Sequence, residues 1–92
     1  RRTLPDMTQP LTELERSLLD FAGQTWRSRG WQEQAIRDLF AMSATRYHQL
    51  VHGLLDRPEA LVHAPTTVRR LQRLRDRRAR ERASRPMALT AR

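Results

Sequence analysis

The chain has 92 residues and a mass of 10.9 kDa, with 38% apolar residues, 30% charged residues and no cysteine. That length allows one small core and excludes a barrel, a doubly wound sheet or a large enzyme scaffold, and the missing cysteine excludes disulfides, thiolate metal sites and a cysteine nucleophile. The formal net charge of +8 lies wholly in residues 69–92, where ten arginines face only Asp76 and Glu81, while residues 1–68 balance eight arginines against eight acids.

Taken in chain order, residues 1–10 hold Pro5 and Pro10 and few apolar side chains, so a flexible N-terminal arm is expected. A bundle is expected over residues 11–63. Thr12-Glu13-Leu14-Glu15 is a capping box that starts the first helix. Leu14, Leu18, Phe21, Ala22 and Trp26 recur at steps of three and four and form one apolar face. Ser28-Arg29-Gly30 breaks that pattern, and Trp31, Ala35, Ile36, Leu39 and Phe40 begin a second helix that ends near Ala41-Met42. Trp26 and Trp31 bracket the break and are expected to pack on each other. Ser43 caps a third helix with the stripe Tyr47, Leu50, Val51 and Leu54. Trp26, Phe40, Tyr47 and Leu50 are expected to be mostly buried where these helices meet. Pro58 suits the first turn of a short fourth helix through Val62. His63-Ala64-Pro65 reads as a linker. Thr66 or Thr67 then caps a basic helix, within residues 65–85, that runs to about Ala83. Pro86 stops it and leaves a flexible tail over 86–92. No β-branched alternation occurs, so the fold class is all-α.

Ile36, Phe40, Met42, Tyr47 and Leu50 have the spacing of two short helices that cross steeply through a tight turn. That is the pattern of a DNA-binding helix-turn-helix. Ala44, Thr45, Arg46, His48, Gln49 and His52 lie off the apolar stripe and form the set that could enter a major groove. Arg46 suits guanine O6 and N7, Gln49 suits adenine, and Thr45 suits a thymine methyl or a phosphate. Two positions depart from the usual motif. Ala41 stands where glycine is common in the turn. Arg37 stands where a small residue is usual, so it is expected at the rim, or the crossing is looser than usual.

Four stretches carry a further likeness: Leu11-Thr12-Glu13-Leu14-Glu15-Arg16, Gln34-Ala35-Ile36-Arg37-Asp38-Leu39-Phe40, Met42-Ser43-Ala44-Thr45-Arg46-Tyr47 and Asp56-Arg57-Pro58-Glu59-Ala60-Leu61. With Trp26, they make residues 9–78 resemble a family of small actinobacterial proteins of unknown function with a predicted helix-turn-helix. The resemblance implies a compact helical fold and a GC-rich bacterial source. It implies no activity. A source of that kind agrees with the absence of lysine and asparagine from this chain. Residues 11–55 also resemble, more weakly, the promoter-reading C-terminal domain of sigma factors, where Leu-Thr-x-x-Glu-Arg opens the helical array.

In the basic helix, Val68, Leu71 and Leu74 form a short stripe that can dock on the bundle. Beyond Arg75 that face is continued by Arg78 and Arg82, so the distal turns should project into solvent. Guanidiniums three and four residues apart repel, and a phosphate backbone would relieve that repulsion. The expected phosphate contacts are Arg27, Arg29, Ser43, Arg69, Arg70, Arg73, Arg77, Arg78, Arg80 and Arg82.

Other constellations are weak. His48 and His52 are spaced as metal ligands but lack a third, so no metal and no cofactor is expected. No glycine-rich phosphate loop or nucleophile elbow occurs, and no enzyme is expected. No apolar run reaches the ~18 residues of a membrane span, and no signal-peptide core is visible. The reading is a cytoplasmic, nucleoid-located protein that binds double-stranded DNA, as a transcription regulator or a nucleoid-associated protein. A module that binds RNA polymerase or another protein, with non-specific DNA affinity, is the first alternative. RNA binding ranks lower because aromatic residues are scarce. A homodimer is left open.

Overall fold

Thr12 begins the first helix through both arms of its capping box. Its hydroxyl accepts from the Glu15 amide at 3.0 Å, and Glu15 Oε1 accepts from the Thr12 amide at 2.8 Å. In this computed structural model, which describes residues 9–84, the elements are α1 (Glu13–Ala22), α2 (Arg29–Phe40), α3 (Ala44–Leu54), α4 (Pro58–His63) and α5 (Pro65–Ser84). The described residues contain no strand, so the fold is all-α. Most of the expected N-terminal arm and all of the tail over 86–92 lie outside the described residues.

The first helix ends earlier than its apolar spacing suggests. The chain leaves α1 at Gly23, whose amide bonds to the carbonyls of Asp20 and Phe21. Gly23 also lets α5 come close: a Cβ there would stand 2.8 Å from Thr67 Oγ1. Trp26 keeps its phase with the α1 face but packs from the connecting segment, its ring 4.9 Å from Phe21. Ser28 does not break a pattern. It caps α2 by accepting from the Trp31 amide at 3.2 Å, which brings Arg29 and Gly30 into the helix.

Phe21 is the hub of the core. It meets Phe40 edge-on at 5.5 Å and Tyr47 edge-on at 5.4 Å. Leu18, Leu19, Ile36, Leu55, Ala60 and Val68 are fully buried around it. Of the four core residues expected from spacing, Tyr47 is buried, whereas Trp26, Phe40 and Leu50 are only half-buried. Trp31 does not pack on Trp26. It is 65% exposed, because α2 begins two residues before it and carries it to the outer side. Leu39 and Leu14, expected on inner faces, are also exposed.

Three residues, Ala41-Met42-Ser43, join α2 to α3. Ala41 has φ 54° and ψ 42°, the left-handed region that glycine fills without strain. It is the one non-glycine residue with positive φ among those described. Arg37 is exposed at the rim and donates to Gln34 Oε1 at 3.0 Å.

Pro65 is the first residue of α5, so the expected linker shrinks to Ala64, and Thr66 and Thr67 lie inside the first turn. Proline suits that place because its missing N–H would have no helical partner there. Docking of α5 goes beyond apolar contact. Gln72 Nε2 donates to the Leu55 carbonyl at 2.7 Å, and Arg75 Nη1 reaches Asp56 Oδ1 at 3.0 Å. From Asp76 to Ser84 every residue is exposed. No helix among the described residues is long and apolar enough to cross a membrane.

Candidate nucleic-acid interface

α3 buries Tyr47, Val51 and Leu54 and turns Thr45, Arg46, His48, Gln49 and His52 outward. Its first turn is set by Ser43, whose hydroxyl accepts from the Arg46 amide at 3.1 Å. The amides of Ala44 and Thr45 then remain as the donors of this helix end. Arg46 Nη1 lies 3.5 Å from Gln49 Oε1, so these two side chains already share one patch. Thr45, His48, Gln49 and His52 line one shallow, open depression on the helix.

The electrostatics of that surface are uneven. His48 is held below its ordinary value by desolvation first, then by the guanidiniums of Arg29 and Arg78 and the neighbouring His52 ring, while Glu33 opposes them. Arg29 is the first residue of α2 and Arg78 lies in the distal part of α5. Arginines at the start of α2 and in the distal part of α5 therefore act electrostatically on His48 of α3. Spacing within one helix could not reveal that convergence. The signal was divided between the start of α2 and the arginine run.

The remaining site residues sort into three groups. Thr45, Arg46, His48 and Gln49 come together as expected. Ala44 is half-buried against the core, because helix phase turns its methyl inward, so it is the least available of the base-contact set. Among the expected phosphate contacts, Arg70 is already engaged. Its Nη2 donates to the Ala22 carbonyl at 2.7 Å and so caps the C-terminus of α1, which has no basic residue of its own in its last turn. Arg27, Arg29, Arg69, Arg73, Arg77, Arg78, Arg80 and Arg82 are exposed. Ser43 keeps its hydroxyl hydrogen as a donor while its oxygen serves the helix cap.

Spacing did not reveal which arginines serve the fold. Arg57 sits between Glu15, Glu59 and the Gln9 carbonyl, and Arg75 sits between Asp56 and Asp76. Their partners are distant or adjacent in sequence at no periodic spacing. His63, read as linker, ends α4 and meets Asp20 of α1 at 2.8 Å. Among the described residues no three histidine, aspartate or glutamate side chains gather as a metal site.

The family model described as protein of unknown function (DUF3263) matches residues 10–83. No curated protein and no solved structure matches the chain. The match runs from just before the α1 capping box to the end of α5, and on that span the chain belongs to the DUF3263 family of proteins of unknown function.

Proposed function

We propose that this protein binds double-stranded DNA, with α2 and α3 acting as a helix-turn-helix and α3 lying in the major groove. The observation that carries the reading is the outward face of α3, where Thr45, Arg46, His48, Gln49 and His52 are exposed together and Arg46 lies 3.5 Å from Gln49, with the exposed arginines Arg29 and Arg78 on neighbouring elements. Cations at the edges suit phosphates, and amide, hydroxyl and guanidinium groups between them suit base edges. The charge of α5, with eight arginines against Asp76 and Glu81, adds attraction that does not depend on sequence. The role is that of a transcription regulator or a nucleoid-associated protein.

The test is selection of preferred duplexes from a random pool, followed by binding of Arg46→Ala and Gln49→Ala at matched salt. Each base contact is worth roughly 1–3 kcal/mol, so each variant should lose most of its preference for the selected duplex while it stays folded. Variants that discriminate like the parent would remove α3 from the groove.

One observation favours a second reading. Trp31 and Leu39 are 65% and 66% exposed on α2. An apolar α2 surface would suit a protein partner such as RNA polymerase. A Trp31→Ala variant with unchanged duplex binding and lost polymerase retention would support that reading.

A further inference from the structure

The arginines of α5 fall on two opposite sides of the helix. Val68 and Leu71 face the bundle, and Gln72 and Arg75 bond to Leu55 and Asp56, the two residues that follow α3. Helix phase carries that side onward to Arg78 and Arg82. The charge of Arg78 is felt at His48, as expected for a side chain directed toward the bundle. Arg69, Arg73, Arg77 and Arg80 follow one another at steps of four, four and three and point the other way. All four are exposed, and none takes part in an ion pair among the described residues. Of the two acids in α5, Asp76 is engaged by Arg75 at 3.3 Å, and Glu81 makes no ion pair among the described residues.

A duplex held against α3 lies on the side of α5 that docks on the bundle, and helix phase turns the outer four arginines away from it. We infer that the outer stripe of α5 binds the phosphate backbone of a second DNA duplex, so that one copy of the protein bridges two duplexes. The inference rests on the proposed duplex binding through α3. The stripe is about 16 Å long at ~1.5 Å rise per residue. Over that length one DNA strand presents about five phosphates at ~3.4 Å spacing along the axis, enough to engage four guanidiniums. A stripe with no apolar residue offers nothing to a protein core or to an acyl layer. Mutual repulsion along the stripe is relieved best by a continuous polyanion.

The experiment compares the full chain with a variant carrying Arg69→Gln, Arg73→Gln, Arg77→Gln and Arg80→Gln, with helicity checked by circular dichroism. Gel shift at dilute duplex reads binding to one duplex. Recruitment of a labelled duplex to a bead-bound duplex reads bridging. The parent should do both. The variant should still bind one duplex through α3, more weakly for the charge it has lost, and at a protein concentration that saturates the first duplex its recruitment of the second should fall at least tenfold. Undiminished recruitment by the variant would overturn the inference and assign bridging to pairs of protein copies. So would a parent that binds one duplex and recruits no second. A variant that binds no duplex would make the stripe the sole binding face and would also overturn it. A parent that binds no duplex in the gel shift removes the proposed function itself, which the first readout registers separately.

Discussion

Arg57 Nη1 lies 3.2 Å from both carboxylate oxygens of Glu15, across 42 residues of sequence. The same carboxylate closes the capping box of α1, and the same guanidinium reaches the Gln9 carbonyl at 2.8 Å and Glu59 at 3.5 Å. One ion pair therefore fastens the start of α1 to the start of α4. Arg57→Ala should cost about 1–2 kcal/mol, since it strips three partners from a half-buried guanidinium. Denaturant unfolding measures the loss, and a change below ~0.5 kcal/mol would reduce the pair to a surface contact.

That pair also sets an acid limb. The Glu15 carboxyl lies below its ordinary value of 4.5, first because the Thr12 amide donates to it and then because of Arg57, with desolvation acting against both. The folded state thus releases this proton more readily than the unfolded chain. Its contribution is complete above the ordinary value and is lost as pH falls through the lower folded one. Thermal melts between pH 6 and pH 3 should fall more steeply for the parent than for Glu15→Gln. Parallel curves would contradict the assignment.

Ala41 offers a gain. Its left-handed backbone costs an L-residue about 1–2 kcal/mol, partly offset in glycine by the entropy of the unfolded chain. Ala41→Gly should stabilise the protein by about 0.5–1 kcal/mol, or a rise of roughly 2–8 °C in Tm for a domain of this size. A lower Tm would mean that the turn between α2 and α3 relaxes in solution.

The aromatic hub gives a graded pair of losses. Phe21 is buried and touches Trp26, Phe40 and Tyr47, so Phe21→Ala should cost about 3–5 kcal/mol. Phe40 keeps part of its surface in water, so Phe40→Ala should cost less, about 2–3 kcal/mol. The order of the two losses, read by urea unfolding, is the test. Tyr47 adds a probe, as the one tyrosine of the chain. Burial pushes its hydroxyl up to about 12, against the opposing charge of Arg70. Phenolate absorbance should therefore rise far above pH 10 in the folded protein, and stability should fall as pH passes 10, where the unfolded chain releases the proton and the folded one holds it.

These particulars show what the sequence alone conveys. The capping box at Thr12, the cap at Ser43, Pro58 and the stripe of α3 are local, so they place the starts of α1, α3 and α4, whereas Ser28 reads as a break although it caps α2. Trp26 misleads because its spacing fits α1 while Gly23 turns the chain first. Trp31 misleads because an aromatic residue at helical spacing reads as core, and only the packing of α2 decides which side faces inward. The polar set on α3 is legible for the same reason as its apolar stripe. The division of the arginines is not. Arg57, Arg70 and Arg75 hold acids or carbonyls that only the fold brings near, whereas Arg69, Arg73, Arg77 and Arg80 meet none of them.

His48 links the proposed interface to pH. Arg29, Arg78 and His52 disfavour its charged form, desolvation disfavours it more, and Glu33 favours it. Phosphates at the same flank would favour the charged form. Duplex affinity should then rise as pH falls from 7.5 to 5.5, because the bound state takes up the His48 proton more readily than the free one. His48→Gln should flatten the rise while leaving affinity at pH 7.5 near that of the parent. Fluorescence anisotropy at constant ionic strength measures both. An equal rise in the variant would place the responsible proton elsewhere.

The most direct measurement of duplex binding is the salt dependence of affinity for a random 20-base-pair duplex beside its separated single strand, read by fluorescence anisotropy with the full chain. With about four to six phosphates neutralised, log K should fall by roughly 3.6–5.4 units per unit of log salt, at about 0.9 per phosphate. The duplex should be preferred over the single strand at every salt concentration, since the groove that receives α3 exists only in the duplex. A shallow slope near zero, or equal affinity for the single strand, would contradict binding of duplex DNA through α3.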